Sequence, residues 1–394
     1  MRQMLNGDEA AAIAAKLARV NVVSAYPITP QTIVVERLSE FVANGELGAE
    51  FMKVESEHSA LSACIGASAV GARAFTATSS QGLMLMSEML FVASGLRLPI
   101  VMVNANRSLS APLSIWCDWG DSMAVRDCGW VQLQCENNQE VLDSTLQAFL
   151  VAESLLLPVM VCFDGYILSH TAEPVDVPGQ AEVDRFLPPY RPKYKLDPEK
   201  PATMGAMGVP EYYEEFKFMQ QAAMQAAKEE LVKADNEFAK HFGRKYGLIE
   251  KYHSDDADVL LLTMGSLSSS VKEIIDRYRR RGEKVGLVKV RAFRPLPVDE
   301  LIEALGHAKA VAILEKDVSF GSAGALFLDT AASFINVDKA PLMIDFICGM
   351  GGRDVDSLHI KEALRAAAKA AKAGEVKKIV RWLGLREKLV GLEE

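Results

Sequence analysis

Paired cysteines are missing from this sequence. Its six cysteines stand far apart, and no two of them have the C-x-x-C spacing that zinc and iron–sulfur clusters commonly use. Single cysteines in apolar surroundings are typical of buried thiols in a reducing compartment. The sequence therefore predicts neither a metal site nor an iron–sulfur cluster on this chain.

Long apolar runs and an excess of basic charge are also missing. No apolar stretch approaches the ~20 residues that span a bilayer, and the N-terminus shows no apolar segment followed by a small-residue cleavage site. The chain has 43 Lys and Arg against 52 Asp and Glu, a net charge of −9 at pH 7, whereas nucleic-acid binding requires a basic face. We expect a cytoplasmic protein that binds neither membrane nor nucleic acid.

The sequence has no fingerprint of a nucleotide-binding fold. Short glycine-containing turns occur at 79–82, 265–266 and 349–352, but none has the G-x-x-x-x-G-K-[ST] or G-x-G-x-x-G pattern. This disfavours a P-loop NTPase and a Rossmann dehydrogenase. Each turn could cradle a phosphate at a helix N-terminus, but a plain tight turn explains it more simply.

What the sequence does contain is an alternation of apolar strand-like and helix-like segments over 394 residues. In residues 1–172 this alternation predicts an α/β domain with a doubly wound, mainly parallel sheet. Residues 173–254 predict a proline-rich arm and a long helix over 211–241. Residues 255–394 predict a second α/β domain with a helical tail. A chain of this length commonly divides into two or three domains.

Some predicted elements have clear limits. A methionine-rich stretch at 83–94 predicts one helix. Short apolar runs bounded by polar or turn residues predict buried strands, since strands of a covered parallel sheet are apolar on both faces. The predicted strands are Val20–Tyr26, Phe51–Val54, Ala74–Thr78, Pro99–Ala105, Pro158–Asp164, Val259–Met264, Val285–Val290, Ala310–Leu314 and Leu342–Ile347.

A proline-rich segment follows the first of the predicted strands. It contains Tyr26, Pro27, Ile28 and Thr29, and its prolines fix the backbone so that the threonine stands at the end of the strand. Ligands of open α/β sheets bind at that edge. The same residues are also compatible with a rigid corner that only caps a helix.

Two further segments place charge after predicted strands. Glu57 lies in the stretch 55–58, where a glutamate also simply favours the first turn of a helix. Arg107 lies in the stretch 104–107, where its guanidinium could hold a carboxylate by a two-pronged fork or pair with an acid across the cleft. Because such segments recur in successive strand–helix units, the sequence predicts a polar cleft in an α/β protein.

Together these segments resemble the alpha subunit of the pyruvate:ferredoxin oxidoreductases, within the multi-subunit 2-oxoacid:acceptor oxidoreductase family. The resemblance covers nearly the whole chain. Each motif is weak alone, but their common order is specific. The motifs are Ser24-Ala25-Tyr26-Pro27-Ile28-Thr29-Pro30, Glu55-Ser56-Glu57-His58, Thr78-Ser79-Ser80-Gln81-Gly82, Asn104-Ala105-Asn106-Arg107, Arg126-Asp127-Cys128-Gly129-Trp130, Glu136-Asn137-Asn138-Gln139-Glu140, Asp164-Gly165-Tyr166-Ile167-Leu168-Ser169-His170 and Gly349-Met350-Gly351-Gly352-Arg353-Asp354.

The resemblance implies a thiamine diphosphate enzyme in which this chain supplies the pyrimidine-binding domain and a transketolase-C-terminal-like domain. It implies that Glu57 bonds a ring nitrogen of the pyrimidine and acts in catalysis. It also implies that Thr29 and Arg107 are catalytic and hold the carboxylate and carbonyl of a 2-oxoacid. The residues implied to bind the cofactor are Glu57, Tyr26, Pro27, Ile28, Ser80 and Gln81.

The resemblance further implies partner subunits of beta, gamma and delta type, without which this chain is inactive. The beta subunit would hold the diphosphate and Mg²⁺, and [4Fe-4S] clusters on partner subunits would pass electrons to ferredoxin while coenzyme A accepts the acyl group. This agrees with the sequence, since Phe163-Asp164-Gly165 lacks the first glycine of the G-D-G pattern that accompanies a Mg²⁺–diphosphate site.

The substrate and three alternative functions stay open. Oxalate-using members of the family carry a second arginine where this chain has Thr29, which favours a monocarboxylic 2-oxoacid. Pyruvate is the favoured substrate, and branched-chain or aryl 2-oxoacids are the alternative substrates. The alternatives are a self-contained thiamine enzyme such as a transketolase, a non-catalytic scaffold subunit, and a protein that binds a ligand other than thiamine.

Overall fold

The computed structural model describes residues 1–392 and arranges them around two large sheets and one two-stranded sheet. The elements up to residue 242 are, in chain order, β1 (Arg2–Leu5), α1 (Gly7–Leu17), β2 (Val22–Ala25), α2 (Thr32–Ala43), β3 (Glu50–Lys53), α3 (Glu57–Ala69), β4 (Ala74–Thr78), α4 (Ser80–Leu85), α5 (Ser87–Gly95), β5 (Val101–Asn106), α6 (Gly120–Ala124), β6 (Val131–Gln134), α7 (Asn138–Leu155), β7 (Val159–Asp164), β8 (Glu173–Asp176), α8 (Gln180–Phe186) and α9 (Tyr213–Phe242).

The elements that follow are β9 (Ile249–Tyr252), β10 (Val259–Met264), α10 (Leu267–Arg279), β11 (Val285–Val290), β12 (Ala292–Arg294), α11 (Val298–Leu305), β13 (Ala310–Glu315), α12 (Ala325–Ser333), β14 (Leu342–Ile347), α13 (Ser357–Ala373) and β15 (Val380–Trp382). Two 3₁₀ turns lie at Met350–Gly352 and Glu387–Val390. None of the helices in this described part of the chain is both long and apolar enough to cross a membrane.

The first large sheet has seven strands in the order β12-β6-β7-β5-β4-β2-β3, all parallel except β12. Helices α1, α7 and α9 pack on one face, and α3, α4 and α5 pack on the other. The central strands β4, β5 and β7 are therefore buried along their whole length, as expected for parallel strands covered on both faces. The predicted doubly wound α/β sheet is confirmed.

The strand order of this sheet reverses beside β2, because β3 pairs with one side of β2 and β4 pairs with the other. In open α/β sheets the ligand crevice lies outside the carboxyl ends of the strands at such a reversal. The carboxyl ends of β3, β2, β4 and β5 are neighbours here, so the loops that follow them form one continuous edge.

The second large sheet has six strands in the order β15-β14-β13-β10-β11-β9, and only β9 is antiparallel. Its strands β10, β11 and β14 have the limits that the sequence predicts. The strand order reverses between β10 and β13, which gives this sheet a crevice of its own at the carboxyl ends of those strands.

Asp164, which belongs to the first half of the chain, lies in that second crevice. The Asp164 carboxylate accepts hydrogen bonds from Trp119 Nε1 (2.7 Å) and Lys316 Nζ (2.9 Å), and also from the Ser266 hydroxyl. Burial by itself raises the pKa of Asp164, but Lys316 and these hydrogen bonds outweigh it and hold the pKa below the ordinary value. The crevice is thus occupied by the chain itself, and the second sheet packs its carboxyl edge against the first half.

Three parts of the fold differ from the sequence prediction. The helix predicted at 83–94 is two helices, α4 and α5, which meet at Met86. The predicted arm begins with β8, which pairs with β1, and with α8, and its longest irregular stretch is 187–212. Strand β12 belongs to the first sheet although it lies within residues 255–394. The division at residues 172 and 254 stays a prediction, and β12 crosses it.

Three buried carboxyl groups meet at the N-terminus of α12. Glu315, Asp317 and Asp345 accept hydrogen bonds from backbone N–H groups of residues 324–327 at 2.8–3.1 Å. Burial raises the pKa of Glu315 well above its usual range, raises that of Asp317 to about 6, and raises that of Asp345. The helix N-terminus attracts negative charge, yet the three acids repel one another, so protonation is favoured in the folded chain.

We predict that Asp345→Asn stabilises the chain at neutral pH. Carboxyl groups with raised pKa values bind protons in the folded state above about pH 4, where unfolded carboxyls release them. The free energy of unfolding therefore falls as the pH rises above about 4, and it keeps falling past pH 6, where Asp317 has its pKa of about 6. Removing one acid should raise the free energy of unfolding at pH 7.5 by about 1–2 kcal/mol and leave it nearly unchanged at pH 4.5.

Urea unfolding at the two pH values measures this effect. The control is Asp338→Asn, because Asp338 is an exposed acid in the same half of the chain and should change stability little at either pH. An Asp345→Asn effect that is the same at pH 4.5 and pH 7.5 would contradict the proposed proton linkage.

Candidate active site

The carboxyl edge of the first sheet brings the predicted site residues together. Residues 26–29 follow β2, Glu57 begins α3 after β3, Ser80 and Gln81 begin α4 after β4, and Arg107 follows β5. Because these four strands are neighbours in the sheet, their loops lie side by side although the residues are up to 81 positions apart in sequence.

Glu57 is a buried carboxylate without a partner. It is the first residue of α3, where the Ser56 side chain caps the helix by accepting the N–H of Ser59. Its side chain is only 6% exposed, and within residues 1–392 it forms no hydrogen bond or ion pair. Its carboxylate oxygens are not among the side-chain atoms that are both sealed from solvent and unpaired, and the helix N-terminus favours their negative charge. Glu57 is therefore available to a donor that this chain does not supply.

Gly82 in α4 leaves the space that the Glu57 side chain occupies. A Cβ atom at position 82 would lie 2.7 Å from Glu57 Oε1 and 2.6 Å from Thr78 Oγ1. Both distances are too short for a non-bonded contact. A glycine at this position of the Ser79-Ser80-Gln81-Gly82 motif is thus required by the close approach of the glutamate.

We predict that Gly82→Ala displaces the Glu57 carboxylate and lowers kcat of the assembled enzyme roughly 100-fold, the typical cost of misplacing a catalytic group by about 1 Å. Steady-state kinetics of the complex measures this. The matched control is Gly66→Ala in α3, where a Cβ atom meets nothing within 4 Å. The control should keep kcat and gain about 0.5–1 kcal/mol of stability. Equal kcat values for the two variants would contradict the packing argument.

Arg107 and Thr29 are in direct contact. The Arg107 guanidinium donates from Nε to the carbonyl oxygen of Ser114 (2.9 Å) and from Nη1 to that of Thr29 (2.9 Å). Within the described residues its Nη2 forms no hydrogen bond. Arg107 is 6% exposed, while Thr29 is exposed. The guanidinium is therefore held by two carbonyls and keeps one nitrogen for a carboxylate.

The remaining predicted residues fall into two groups. Tyr26 and Pro27 are exposed and Ile28 is half-buried, so this segment borders the open side of the edge. Ser80 is fully buried, and its hydroxyl donates to the carbonyl oxygen of Ser108 (2.5 Å) and lies 2.6 Å from Gln81 Oε1. The structure thus places Ser80 within the loop packing and Gln81, which is half-buried, nearer the surface.

Asp121 is a buried residue at this edge that the sequence reasoning missed. Its Oδ2 accepts hydrogen bonds from the Ser80 N–H (2.9 Å), the Asn104 side-chain amide (3.0 Å) and the Arg107 N–H (3.1 Å). Burial raises its pKa to about 7. One carboxylate therefore ties the loop after β4 to the loop after β5. No local pattern marks Asp121, because its partners are 14 to 41 positions away in sequence.

The second half of the chain contributes a loop to the same edge. The Gly352 N–H donates to the carbonyl oxygen of Cys117 (2.7 Å), and a Cβ atom at position 352 would lie 2.5 Å from the Trp116 Cβ. The Trp116 ring packs against Tyr166 with a centroid distance of 4.5 Å. The loop that continues from Arg107 is therefore held between the two halves of the chain.

These residues fit the aminopyrimidine end of thiamine diphosphate. A buried, unpartnered carboxylate suits the ring nitrogen of an aminopyrimidine, which becomes a donor when protonated. The edge beside it has an exposed opening at Tyr26 and Pro27. Within residues 1–392 no group of three or more His, Cys, Asp or Glu side chains is arranged to hold a metal ion.

Comparison with solved structures defines the fold. The fold matches 2-oxoglutarate:ferredoxin oxidoreductase from Magnetococcus marinus, solved with 2-oxoglutarate, coenzyme A and succinyl-CoA bound, with a TM-score of 0.68 and 21% identity over 94% of this chain. The chain spans 65% of that structure's length. It also matches a split-gene transketolase, solved as an inactive β4 tetramer, with a TM-score of 0.54, 12% identity and coverage of 94% and 99% of the two chains. The chain therefore shares its fold with a 2-oxoacid:ferredoxin oxidoreductase and with a transketolase.

Sequence comparison then defines the family. Residues 13–236 match the thiamine diphosphate-binding family of pyruvate flavodoxin/ferredoxin oxidoreductases, and residues 257–360 match core domain II of pyruvate:ferredoxin oxidoreductase. Pyruvate synthase subunit PorA of Pyrococcus furiosus is 53% identical over 99% of both chains. Ketoisovalerate oxidoreductase subunit VorA of Pyrococcus horikoshii is 47% identical over 98% of both chains. The chain belongs to the pyruvate flavodoxin/ferredoxin oxidoreductase family and is an oxidoreductase subunit of the 2-oxoacid:ferredoxin type.

Proposed function

We propose that this chain is the alpha subunit of a thiamine diphosphate-dependent oxidoreductase that converts pyruvate and coenzyme A to acetyl-CoA and CO₂ and reduces ferredoxin, or catalyses the reverse synthesis. The observation that carries the proposal is the buried, unpartnered Glu57 carboxylate on the same sheet edge as the Arg107 guanidinium. An acid that can share a proton with the cofactor and a cation that can bind a carboxylate, both at one sheet edge, suit a 2-oxoacid decarboxylation.

Each residue of the edge has a separate role in this proposal. When bound, thiamine diphosphate supplies the nucleophilic carbon and the electron sink of the decarboxylation. Glu57 holds a proton at the pyrimidine ring nitrogen, which makes it the acid–base residue of the chain. Arg107 binds the substrate carboxylate through its free Nη2, and the exposed Thr29 borders the carbonyl. Gln81 and the segment 26–28 border the cofactor.

The substrate preference follows from the single arginine. Arg107 is held by two backbone carbonyls and offers one free terminal nitrogen, which matches one carboxylate group. Thr29 beside it carries no second charge, so a monocarboxylic 2-oxoacid fits better than a dicarboxylic one. Among relatives of nearly equal length, one subunit belongs to a pyruvate synthase and another to a ketoisovalerate oxidoreductase. Pyruvate is the leading substrate, and a branched-chain 2-oxoacid is the second candidate.

The edge is half of a site, and its completion requires partner subunits. We expect a beta-type subunit to hold the diphosphate with Mg²⁺. Other subunits, of gamma and delta type, would carry [4Fe-4S] clusters toward ferredoxin. The six cysteines of this chain are buried free thiols, and burial raises their pKa values. Unpaired thiols fit the reducing cytoplasm, which is the expected compartment.

The test is an anaerobic assay of the complete complex. It measures viologen dye reduction that depends on both a 2-oxoacid and coenzyme A, with pyruvate, 2-oxoisovalerate and phenylpyruvate compared by kcat/KM. The highest kcat/KM for pyruvate supports the proposal, and the highest value for 2-oxoisovalerate replaces pyruvate by a branched-chain substrate. No dye reduction with any 2-oxoacid would refute it and leave a scaffold or another ligand. Tight thiamine diphosphate binding by the lone chain would instead indicate a self-contained thiamine enzyme.

A further inference from the structure

The first turns of α9 are exposed on every side. Residues 211–219 are all exposed, and the side chains of Tyr213, Phe216, Phe218 and Met219 are between 46% and 70% exposed. Their spacing places these groups on more than one face of the helix, so the body of this chain cannot cover them all. Contiguous exposed apolar groups of this size mark interaction sites.

These turns continue a firmly anchored helix. The second half of α9 packs into the core of the first sheet through Ala227, Leu231, Ala234 and Phe238, all of them buried. Closer to the exposed turns, Gln220 Nε2 donates to the Ser94 hydroxyl of α5 (2.9 Å). The exposed aromatic groups therefore stand on a fixed element, which lowers the entropy cost of binding.

An apolar groove lies beside these turns. It has a volume of about 620 Å³ and is bounded by α5, the loop 203–208 and the start of α9. Phe91 and Leu96 line one wall, and Tyr213 and Phe216 line the other. The groove and the projecting turns together present both a concave and a convex apolar surface.

The exposed side of α4 and α5 connects the groove with the candidate active site. From residue 85 to residue 95 the exposed positions recur every third or fourth residue, which places them on one helical face. Leu85 and Phe91 on that face are 51% and 50% exposed. At the other end of α4, Gly82 packs directly against Glu57. We call Leu85, Phe91, Tyr213, Phe216 and Met219 the apolar strip.

We propose that the apolar strip is the docking surface for the subunit that carries the diphosphate half of the thiamine site. This inference rests on the proposed function, because it requires a second chain to complete the site at Glu57. A chain that reaches Glu57 meets the exposed face of α4 and α5 next, and the strip extends that contact to the groove and to the first turns of α9.

The size and composition of the strip agree with such an interface. An aromatic side chain buries 150–250 Å², so five half-exposed large side chains offer roughly 500 Å², a large part of the ~800 Å² that each partner contributes to a stable interface. The strip itself consists of Leu, Phe, Tyr and Met, and the charged Glu88 on the same face of α5 lies 3.6 Å from His58. Aromatic residues and methionine are enriched, and charged residues depleted, at the centre of protein interfaces.

The experiment compares assembly of variants with the diphosphate-half subunit purified from the native complex. Phe91→Asp and Phe216→Asp place a charge in the strip, and Phe216→Ala is the milder change. We expect each aspartate variant to raise the Kd for that subunit about 30-fold or more, as substitutions at central interface residues do. The matched control is Ile335→Asp, at an apolar side chain 82% exposed outside the strip, which should leave the Kd unchanged.

The outcomes separate this inference from the proposed function. Wild-type Kd values for both aspartate variants would overturn the docking surface while the dye assay still judges the function. Loss of self-association of the lone chain, with partner binding intact, would also overturn it and assign the strip to a second copy of this chain. A weakened partner contact in a complex that oxidises no 2-oxoacid would keep the surface and reject the function. Unchanged thermal unfolding of the lone variants shows that a change in Kd does not reflect misfolding.

Discussion

Glu57→Gln in the assembled complex should lower the rate of hydrogen–deuterium exchange at the thiazolium C2 of bound thiamine diphosphate by about 10²–10⁴-fold, the usual contribution of an acid–base residue. The amide cannot take up the proton that a carboxylate shares with the ring nitrogen. Glu57 forms no hydrogen bond or ion pair within residues 1–392, so the substitution removes no polar contact, and glutamine has nearly the same shape for packing against Gly82. The complex should therefore assemble as the wild type does.

The matched control for this prediction is Glu55→Gln. Glu55 lies two residues away but is exposed and accepts a hydrogen bond from the Ser59 hydroxyl. It should keep the wild-type exchange rate and the wild-type dye reduction. Exchange at the wild-type rate in Glu57→Gln would remove Glu57 from the catalytic machinery, and full dye reduction in that variant would point to a scaffold role for the whole edge.

Arg107→Ala should raise KM for the 2-oxoacid about 10- to 100-fold and leave KM for coenzyme A nearly unchanged. Hydrogen bonds to charged groups contribute about 1.5–3 kcal/mol, which corresponds to that range. Within residues 1–392, Nε and Nη1 of Arg107 donate to the carbonyls of Ser114 and Thr29, and Nη2 forms no hydrogen bond. Substrate binding and loop packing therefore depend on different nitrogens of one side chain.

Arg107→Lys distinguishes these two contributions. Lysine keeps the charge but not the planar fork. Arg107→Lys should therefore raise the KM for the 2-oxoacid less than Arg107→Ala does, but it should restore little of the loop packing. Steady-state kinetics with both substrates varied measures the split. If Arg107→Ala raised both KM values equally, the residue would be a packing residue and would not bind the substrate carboxylate.

Much of the fold was open to sequence reasoning because strands of a covered parallel sheet are apolar on both faces. The limits of β4, β10, β11 and β14 were predicted from that local signal. Strands β1, β6, β8, β9, β12 and β15 were missed, since three or four residues of mixed character carry little periodicity.

The candidate site, like the fold, could be predicted only in part from the sequence. The sequence by itself determined which residues follow the strands, and so placed Tyr26, Glu57 and Arg107 at one sheet edge, because the end of a strand is encoded by neighbouring residues. Only the tertiary structure decided that Asp121 joins two of these loops, that Gly82 makes room for Glu57, and that Gly352 of the second half packs against Trp116. Those contacts join residues far apart in the chain, and they exist only once strand order has fixed which loops are neighbours.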